Sequence, residues 1–229
     1  TDNFAARNTL AFVFWNAAFR AANRSLTELL VIADSVRAVA VLVDADGREV
    51  ARDTATGRAL HLLAPPGAYA LLLDAVRGVD TSRYRGTITL PDFGGEAPAI
   101  SSILLAAGDV EPSRDALAAR APHALTLSAT RTLRVYAELY NLGRVDGTAR
   151  YRAEYWFERT DGGFILRRNR ERGTTIAFDR ERPFAPRLVE TLIVDPDRLP
   201  PGRYRLRSEI VDQVRGARAA SATIEFRLR

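Results

Sequence analysis

A short motif occurs twice in this chain and constrains its fold more than any other feature. Residues 65–71 read Pro-Pro-Gly-Ala-Tyr-Ala-Leu, and residues 200–206 read Pro-Pro-Gly-Arg-Tyr-Arg-Leu. Proline fixes φ and glycine supplies the positive φ of a type II turn, so Pro-Pro-Gly predicts a tight turn that leads into a strand. Each copy is followed by Asp-x-Val-Arg-Gly, at 74–78 and 212–216. The repetition predicts two modules built on one plan.

Alternating apolar and polar residues extend this strand pattern through the second half. After the second motif, Tyr204 and Leu206 fall on one side of a period-two strand, and Arg203 and Arg205 fall on the other. Similar alternation occurs over 133–140, 150–157 and 188–194, and we interpret 141–147 as a hairpin connection between the first two of these runs. Six or seven short strands at this spacing are typical of a sandwich of about 100 residues.

The first half shows the same signals less regularly. Residues 36–43 and 48–53 flank Asp-Ala-Asp-Gly at 44–47, which predicts a hairpin, and 60–64 predicts a strand before the first motif. The apolar spacing within 4–32 also matches one face of a helix, and Ser-Leu-Thr-Glu resembles a capping box there. We therefore expect a short N-terminal helix as an alternative to strands.

These patterns together predict a mainly β chain of two tandem immunoglobulin-like antiparallel β-sandwich modules. We expect the first module, with its N-terminal aromatic segment, to cover residues 1–110. A Gly, Pro and Ala-rich linker would follow at 111–122, and the second module would cover 123–229. A chain of 229 residues is long enough for two domains of this size.

Composition limits the kinds of site and the location that the chain supports. The absence of cysteine excludes disulfides, zinc-thiolate sites and cysteine nucleophiles, and no apolar run approaches the roughly 18 residues that span a bilayer. All 33 basic residues are arginine and there is no methionine, which indicates a GC-rich bacterial coding bias. The missing initiator methionine predicts a processed N-terminus or a trimmed chain.

The chain resembles a bacterial family over about 145 of its 229 residues. The segments that carry the resemblance are Leu-Pro-Asp-Phe at 90–93, Ile-Ser-Ser-Ile-Leu-Leu-Ala at 100–106, Val-Tyr-Ala-Glu-Leu-Tyr-Asn-Leu at 135–142, Tyr-Arg-Ala-Glu-Tyr at 151–155, and the turn and strand at 199–206. In this order they are similar to the C-terminal β region of GWxTD-domain proteins, although the Gly-Trp-x-Thr-Asp segment itself is absent. The resemblance implies an exported bacterial protein and transfers no catalytic residue.

The residues that usually carry chemistry are sparse. His61 lies in an apolar strand and His123 at the start of a module, so structural roles are favoured over a metal site or a catalytic triad. The Asp-Ala-Asp-Gly turn lacks the bidentate glutamate of a calcium loop, since Ala55 occupies that position. We therefore predict no catalytic residues, no metal site and no cofactor, and we do not expect an enzyme.

Aromatic and basic residues instead predict contact with a partner. Trp15 and Phe19 belong to an aromatic stretch that indicates either core packing or docking on a protein or membrane interface. Tyr136, Tyr140 and Trp156 lie on the polar sides of their strands and would form an exposed row if those strands paired. The densest basic cluster contains Arg167, Arg168 and Arg170.

The leading functional hypothesis is a non-catalytic extracytoplasmic binding or scaffolding protein, located in the periplasm or at the cell surface. Its sandwiches would mediate protein–protein contacts, as an accessory structural subunit of a membrane-associated assembly. We expect a protein partner, membrane contact that is at most peripheral, and no nucleic acid, because no nucleic-acid-binding signature accompanies the arginines. The alternative is a carbohydrate- or small-ligand-binding module that uses the row of Tyr136, Tyr140 and Trp156.

Overall fold

A computed structural model describes residues 13–33, 37–56, 59–122, 124–161 and 174–229. The chain is mainly β, and its strands pair antiparallel except for one short parallel pair. It divides into two compact units, Thr1–Gly94 and Gly95–Arg229, each with two sheets. The predicted tandem β-sandwich fold is therefore confirmed.

The described residues of the first unit form seven strands in two sheets. They are β1 (Phe14–Arg20), β2 (Thr27–Ala33), β3 (Arg37–Val43), β4 (Glu49–Ala55), β5 (Ala59–Ala64), β6 (Gly67–Arg77) and β7 (Asp80–Leu90). One sheet has the order β1-β2-β5 and the other β4-β3-β6-β7. Apolar side chains from both sheets, among them Leu29, Leu62, Leu42 and Leu71, form a common buried core. This strand order is immunoglobulin-like, because the sheet of the first, second and fifth strands faces the sheet of the third, fourth, sixth and seventh.

The second unit repeats this order with a divided first strand. Its elements are β8 (Ala99–Ile100), β9 (Leu104–Ala107), α1 (Arg114–Arg120), β10 (Thr126–Leu127), β11 (Leu133–Tyr140), β12 (Thr148–Arg159), β13 (Thr174–Pro183), β14 (Arg187–Val194), β15 (Gly202–Asp212), β16 (Ala217–Ala220) and β17 (Ile224–Leu228), with a 3-10 turn at Pro196–Arg198. β11 pairs with β14 on one side and with β8 and β9 on the other. The larger sheet has the order β10-β17-β15-β12-β13, with β16 beside β15.

The repeated motif forms the same corner in both units. The Tyr69 hydroxyl donates to the carbonyl oxygen of Pro65 at 2.9 Å, and the Tyr204 hydroxyl donates to that of Pro200 at 2.7 Å. A tyrosine bonded in this way to the backbone a few residues upstream is the tyrosine corner of immunoglobulin-like domains. Tyr204 is buried and Tyr69 is partly buried against the core, so both rings face the interior of their units.

The N-terminal segment forms strands, so the predicted helix is wrong over the described residues. β1 and β2 pair antiparallel from Phe14↔Ala33 to Arg20↔Thr27, and the predicted capping box begins in the turn between them and ends within β2. Several side chains on both faces of these strands are buried. A strand that is apolar on both faces has no period-two signal, and its apolar residues also match the spacing of a helix face.

The structure divides the chain earlier than the predicted module boundary. The first module was expected to cover residues 1–110, but β8 and β9 pair with β11 of the second unit. The predicted linker at 111–122 contains α1, whose N-terminus is capped by the Ser113 hydroxyl oxygen, which accepts from the Ala116 N–H. Leu117 and Ala118 are buried, so this segment packs as part of the second unit. The units meet in sequence at Gly94 and Gly95.

The corner hydrogen bonds generate a stability prediction. Replacing Tyr204 by Phe removes a buried hydroxyl and its bond to Pro200, so we expect the second unit to lose about 1 kcal/mol of unfolding free energy. Chemical denaturation followed by circular dichroism measures this loss. Tyr84→Phe is the matched control, since the Tyr84 side chain is exposed and should change stability by less than about 0.5 kcal/mol. Equal losses in both variants would show that the corner bond does not stabilise the fold.

Candidate functional site

The structure does not form the predicted exposed aromatic row. Tyr136 is 2% exposed and Tyr140 is 0% exposed, so neither is available as a surface contact. The prediction assumed that the strands carrying these tyrosines and Trp156 pair through a hairpin at 141–147. Instead β11 and β12 belong to different sheets, and the intervening segment crosses between them.

The two tyrosines surround a buried carboxylate on the face of β11 opposite the sandwich core. Tyr136 and Tyr140 each donate a hydroxyl to Glu138 at 2.8 Å, one to Oε1 and the other to Oε2. Arg114, at the start of α1, donates from Nε to Oε1 at 2.9 Å and from Nη2 to Oε2 at 2.7 Å. Glu138 is 0% exposed. Its charge is therefore compensated by a bidentate guanidinium, which is the strongest geometry available to such a pair.

A second buried carboxylate lies on the opposite face of the same sheet. Glu190 of β14 is 0% exposed and accepts from the Tyr151 hydroxyl at 2.5 Å, while Arg180 Nη2 lies 3.5 Å from its other oxygen. Tyr151 belongs to β12, so this bond joins the two sheets through the core. Sequence analysis missed Glu190, although a signal was present, because the residue alternates in phase with the buried Leu188, Leu192 and Val194.

These surroundings alter the acidity of three buried tyrosines. Burial raises the pKa of the Tyr136 hydroxyl well above its ordinary value, and the charge of Glu138 and the hydrogen bond to it add to the shift. Burial likewise raises the pKa of Tyr151 and of Tyr155, and Glu190 adds to both shifts. At neutral pH the three hydroxyls are therefore protonated.

Trp156 is the one residue of the predicted row that reaches the surface. It lies partly exposed on the outer face of the larger sheet in the second unit, directly opposite Arg207 and Thr175 on the neighbouring strands. The guanidinium carbon of Arg207 lies 4.8 Å from the centre of the Trp156 ring, which is a cation–π contact. Tryptophan and arginine are both enriched at the energetically dominant positions of protein interfaces.

Ion pairs occupy the same outer face around Trp156. The pairs are Arg150 with Glu181, Arg152 with Glu154 and Asp179, Arg205 with Glu158 and Glu225, and Arg207 and Arg218 with Glu209. Their side chains are mostly well exposed, so each pair contributes little to stability. They surround the tryptophan with a polar, nearly neutral rim.

The remaining predicted contact residues lie elsewhere or outside the described residues. Phe19 is fully buried, which agrees with the core-packing alternative and excludes it as a surface anchor. Trp15 is partly exposed on β1, opposite Ile32. Arg167, Arg168 and Arg170 lie outside the described residues, as does His123.

The described residues hold neither a metal-ligand cluster nor a membrane-spanning helix. They include no group of three or more His, Asp or Glu side chains that would hold a metal ion. His61 Nδ1 lies 2.7 Å from Glu28 Oε1 on the neighbouring strand, where it forms part of a surface pair. Within the described ranges no helix is long and apolar enough to cross a bilayer.

Comparisons with known proteins find general structural similarity to several solved structures but assign the chain to no family. No family model matches the sequence, and no curated protein matches it. Among solved structures, the BSP domain of a biofilm associated protein has 14% identity and a TM-score of 0.34, with 92% of this chain and 28% of that chain covered. The fibronectin(III)-like modules of Clostridium thermocellum CbhA have 14% identity and a TM-score of 0.25, with 88% and 84% covered. An Escherichia coli alpha-2-macroglobulin has 10% identity and a TM-score of 0.31, with 94% and 15% covered.

This chain therefore spans little more than a quarter of the biofilm protein chain and a smaller share of the macroglobulin. At these TM-scores the likenesses carry no argument about function. The fold assignment rests on the strand order and the two tyrosine corners.

The buried ion pair between Arg114 and Glu138 predicts that one substitution strongly lowers the free energy of unfolding. Replacing Arg114 by Met leaves a fully buried carboxylate with two hydroxyl donors and with Arg187 at 3.9 Å as the nearest remaining cation in the described structure. We expect a loss of about 3 kcal/mol in unfolding free energy, measured by chemical denaturation. The double variant R114M/E138Q should recover part of this loss, because it also removes the buried charge.

Arg205→Met is the matched control for this prediction. It removes the same side chain from exposed pairs with Glu158 and Glu225, so the expected loss is below about 1 kcal/mol. A loss for R114M no larger than that for R205M would contradict a supporting role of the buried pair.

The tyrosine pKa shifts predict how stability depends on pH. Because the folded-state pKa of Tyr136, Tyr151 and Tyr155 lies above the unfolded value of about 10, their contribution is fully present below that pH. It decreases as pH rises further, since the unfolded chain alone releases these protons. Tyrosinate absorbance should therefore show the more exposed tyrosines ionising first and the buried ones only as circular dichroism reports unfolding. Ionisation of all seven tyrosines in a native chain would contradict this.

Proposed function

We propose that this protein is a non-catalytic binding or scaffolding protein that acts outside the cytoplasm and contacts a protein partner. The observation that carries the proposal is the outer face of the larger sheet in the second unit. There Trp156 lies partly exposed beneath Arg207 and is ringed by paired charges. Tryptophan and arginine are the residues most enriched among energetically dominant interface positions, and they act best inside a polar rim that excludes water.

The proposed location follows from the sequence resemblance. The ordered segments shared with GWxTD-domain proteins favour an exported bacterial protein, and the arginine-only, methionine-free composition favours a GC-rich bacterium. A role as accessory subunit of a membrane-associated assembly agrees with that resemblance. Peripheral contact through a partner is sufficient for such a role.

The carbohydrate-binding alternative loses most of its support. It required Tyr136, Tyr140 and Trp156 on one exposed face, and the two tyrosines are buried around Glu138. A sugar platform formed by several aligned aromatic rings is therefore not available on that face.

A crosslinking experiment tests the protein-contact proposal. A photoreactive phenylalanine analogue replaces Trp156, and the protein is expressed with an export signal in a GC-rich bacterial host and irradiated in intact cells. We expect one discrete adduct, recovered with the membrane fraction and identified by mass spectrometry. Purified wild-type protein added to isolated membranes should compete for that adduct, and the Trp156→Ala variant should not.

The control places the same analogue at Ile193, which is 53% exposed on the other sheet of the same unit. Absence of an adduct at Trp156, or the same adducts at both positions, would contradict the proposal. The Trp156→Ala variant should remain folded, because the ring is partly exposed and loses a cation–π contact of only about 0.5–1 kcal/mol.

A further inference from the structure

Four polar side chains form a row across three adjacent strands of the second unit and the residue that follows a fourth strand. Arg203 of β15 lies directly opposite Arg227 of β17, and Arg227 lies opposite Thr126 of β10. At the other end, the Thr160 N–H donates to the Arg203 carbonyl oxygen at 2.8 Å, which continues the register past the end of β12. Directly opposite residues share a face of the sheet. The row therefore reads hydroxyl, guanidinium, guanidinium, hydroxyl, and all four residues line one open groove.

Two like charges in opposite positions of an antiparallel pair destabilise a sheet. On this outer face, every other arginine of β12, β15 and β16 forms an ion pair with a carboxylate. The side chains of Arg203 and Arg227 form neither an ion pair nor a hydrogen bond within the part of the chain that the structure describes. The repulsion between them is thus left without a neutralising group from those residues.

The nearest carboxylates are engaged by other donors. Glu225 also lines the groove, but its Oε1 accepts from Arg205 Nε at 3.2 Å and Nη2 at 2.9 Å. Asp161 accepts from Arg159 Nε at 2.7 Å and from the backbone N–H of Arg203 at 3.0 Å. Both carboxylates are therefore already bonded to donors other than the guanidinium groups of Arg203 and Arg227. Among the described residues, the two guanidiniums are therefore the unpaired positive charge of the groove.

The groove also has a built lining beneath its polar row. The rings of Tyr204 and Phe226 stack with centroids 5.6 Å apart, and both side chains are buried. Leu125 at the groove has φ of 48°, a left-handed conformation that is uncommon for a residue other than glycine. Its carbonyl oxygen accepts from the Arg227 N–H at 2.8 Å, which ties this backbone to the arginine row. Strained backbone of this kind concentrates at ligand sites.

We infer that this row binds a phosphoryl group, as free phosphate or as the phosphate monoester of a small molecule. A single carboxylate is satisfied by one bidentate arginine and would leave the second guanidinium uncompensated. A phosphoryl group carries a charge of about −1.5 to −2 at pH 7 and three acceptor oxygens, so it neutralises both guanidiniums and accepts from the Thr160 hydroxyl. The Thr126 hydroxyl donates to the Ala124 carbonyl oxygen at 3.4 Å. The inference goes beyond the proposed protein contact and does not depend on Trp156.

Calorimetric titration of the whole protein tests the inference. Inorganic phosphate and glycerol 3-phosphate are the two probes, and acetate is the monoanionic control. We expect saturable binding of one phosphoryl group per chain and much weaker binding of acetate. Equal affinity for the two probes identifies the free ion as sufficient ligand, and tighter binding of the ester identifies a substituted phosphate.

Paired substitutions locate the site. R203Q and R227Q should each weaken phosphate binding about tenfold, since each removes charge-assisted hydrogen bonds. R152Q and R218Q remove the same charge from ion-paired positions on the same face but outside the groove. They should change the affinity for phosphate less than twofold, because salt screens a single charge that lies far from the groove. In phosphate-free buffer, R203Q should melt at the same temperature as wild type or higher, because it relieves repulsion with Arg227.

Three results would overturn the inference. These are no saturable phosphate binding, equal losses in the groove and control variants, or acetate binding as strong as phosphate binding. A lower melting temperature for R203Q in phosphate-free buffer would contradict the repulsion on which the argument rests. Crosslinking at Trp156 has no part in these measurements, so failure of the phosphate site and failure of the protein-contact proposal are distinguished.

Discussion

The crossing from one sheet to the other at each Pro-Pro-Gly corner is the constraint on which both units depend. The strand before the corner, β5 or β14, lies in one sheet, and the strand after it, β6 or β15, lies in the middle of the other. The tyrosine hydroxyl, bonded to the proline carbonyl oxygen, holds this crossing. From the second corner onward, Tyr204 and Leu206 point inward while Arg203 and Arg207 point outward. The same register places Arg207 against the Trp156 ring and Arg203 opposite Arg227.

The two buried glutamates make that register hard to change. Glu138 and Glu190 lie one position apart in the pairing of β11 with β14, on opposite faces of the sheet. A slip of one residue would reverse the faces of a whole strand and move a charged side chain away from its donors. Buried ion pairs add little net stability compared with apolar packing, and uncompensated ones are costly. We therefore regard the Glu138 and Glu190 clusters as determinants of strand pairing, with Arg114 also holding α1 on the sheet.

Local patterns predicted the strands well and their partners poorly. The runs at 36–43, 48–53, 60–64 and 188–194 became β3, β4, β5 and β14 with nearly the expected bounds. The hairpin at 141–147 was wrong because turn residues permit a reversal without specifying which sheet the next strand joins. The helix at 4–32 was wrong over the described strands because the apolar spacing there fits both periods. Alternation also placed Tyr136 and Tyr140 on a polar face of their strand. It contains no information on whether another element covers that face.

Sequence patterns alone predict two β-sandwiches and a Pro-Pro-Gly turn that leads into a strand in each. That information is local, since proline, glycine and a period-two strand act on neighbouring residues. The division into units, the burial of particular polar side chains and the arginines that have no carboxylate partner among the described residues became visible in the three-dimensional structure. Those outcomes depend on contacts between strands far apart in the chain, such as Arg203 with Arg227 and Tyr151 with Glu190. A polar residue in a strand becomes a surface contact or a buried donor according to what packs over it, and its sequence neighbours do not contain that information.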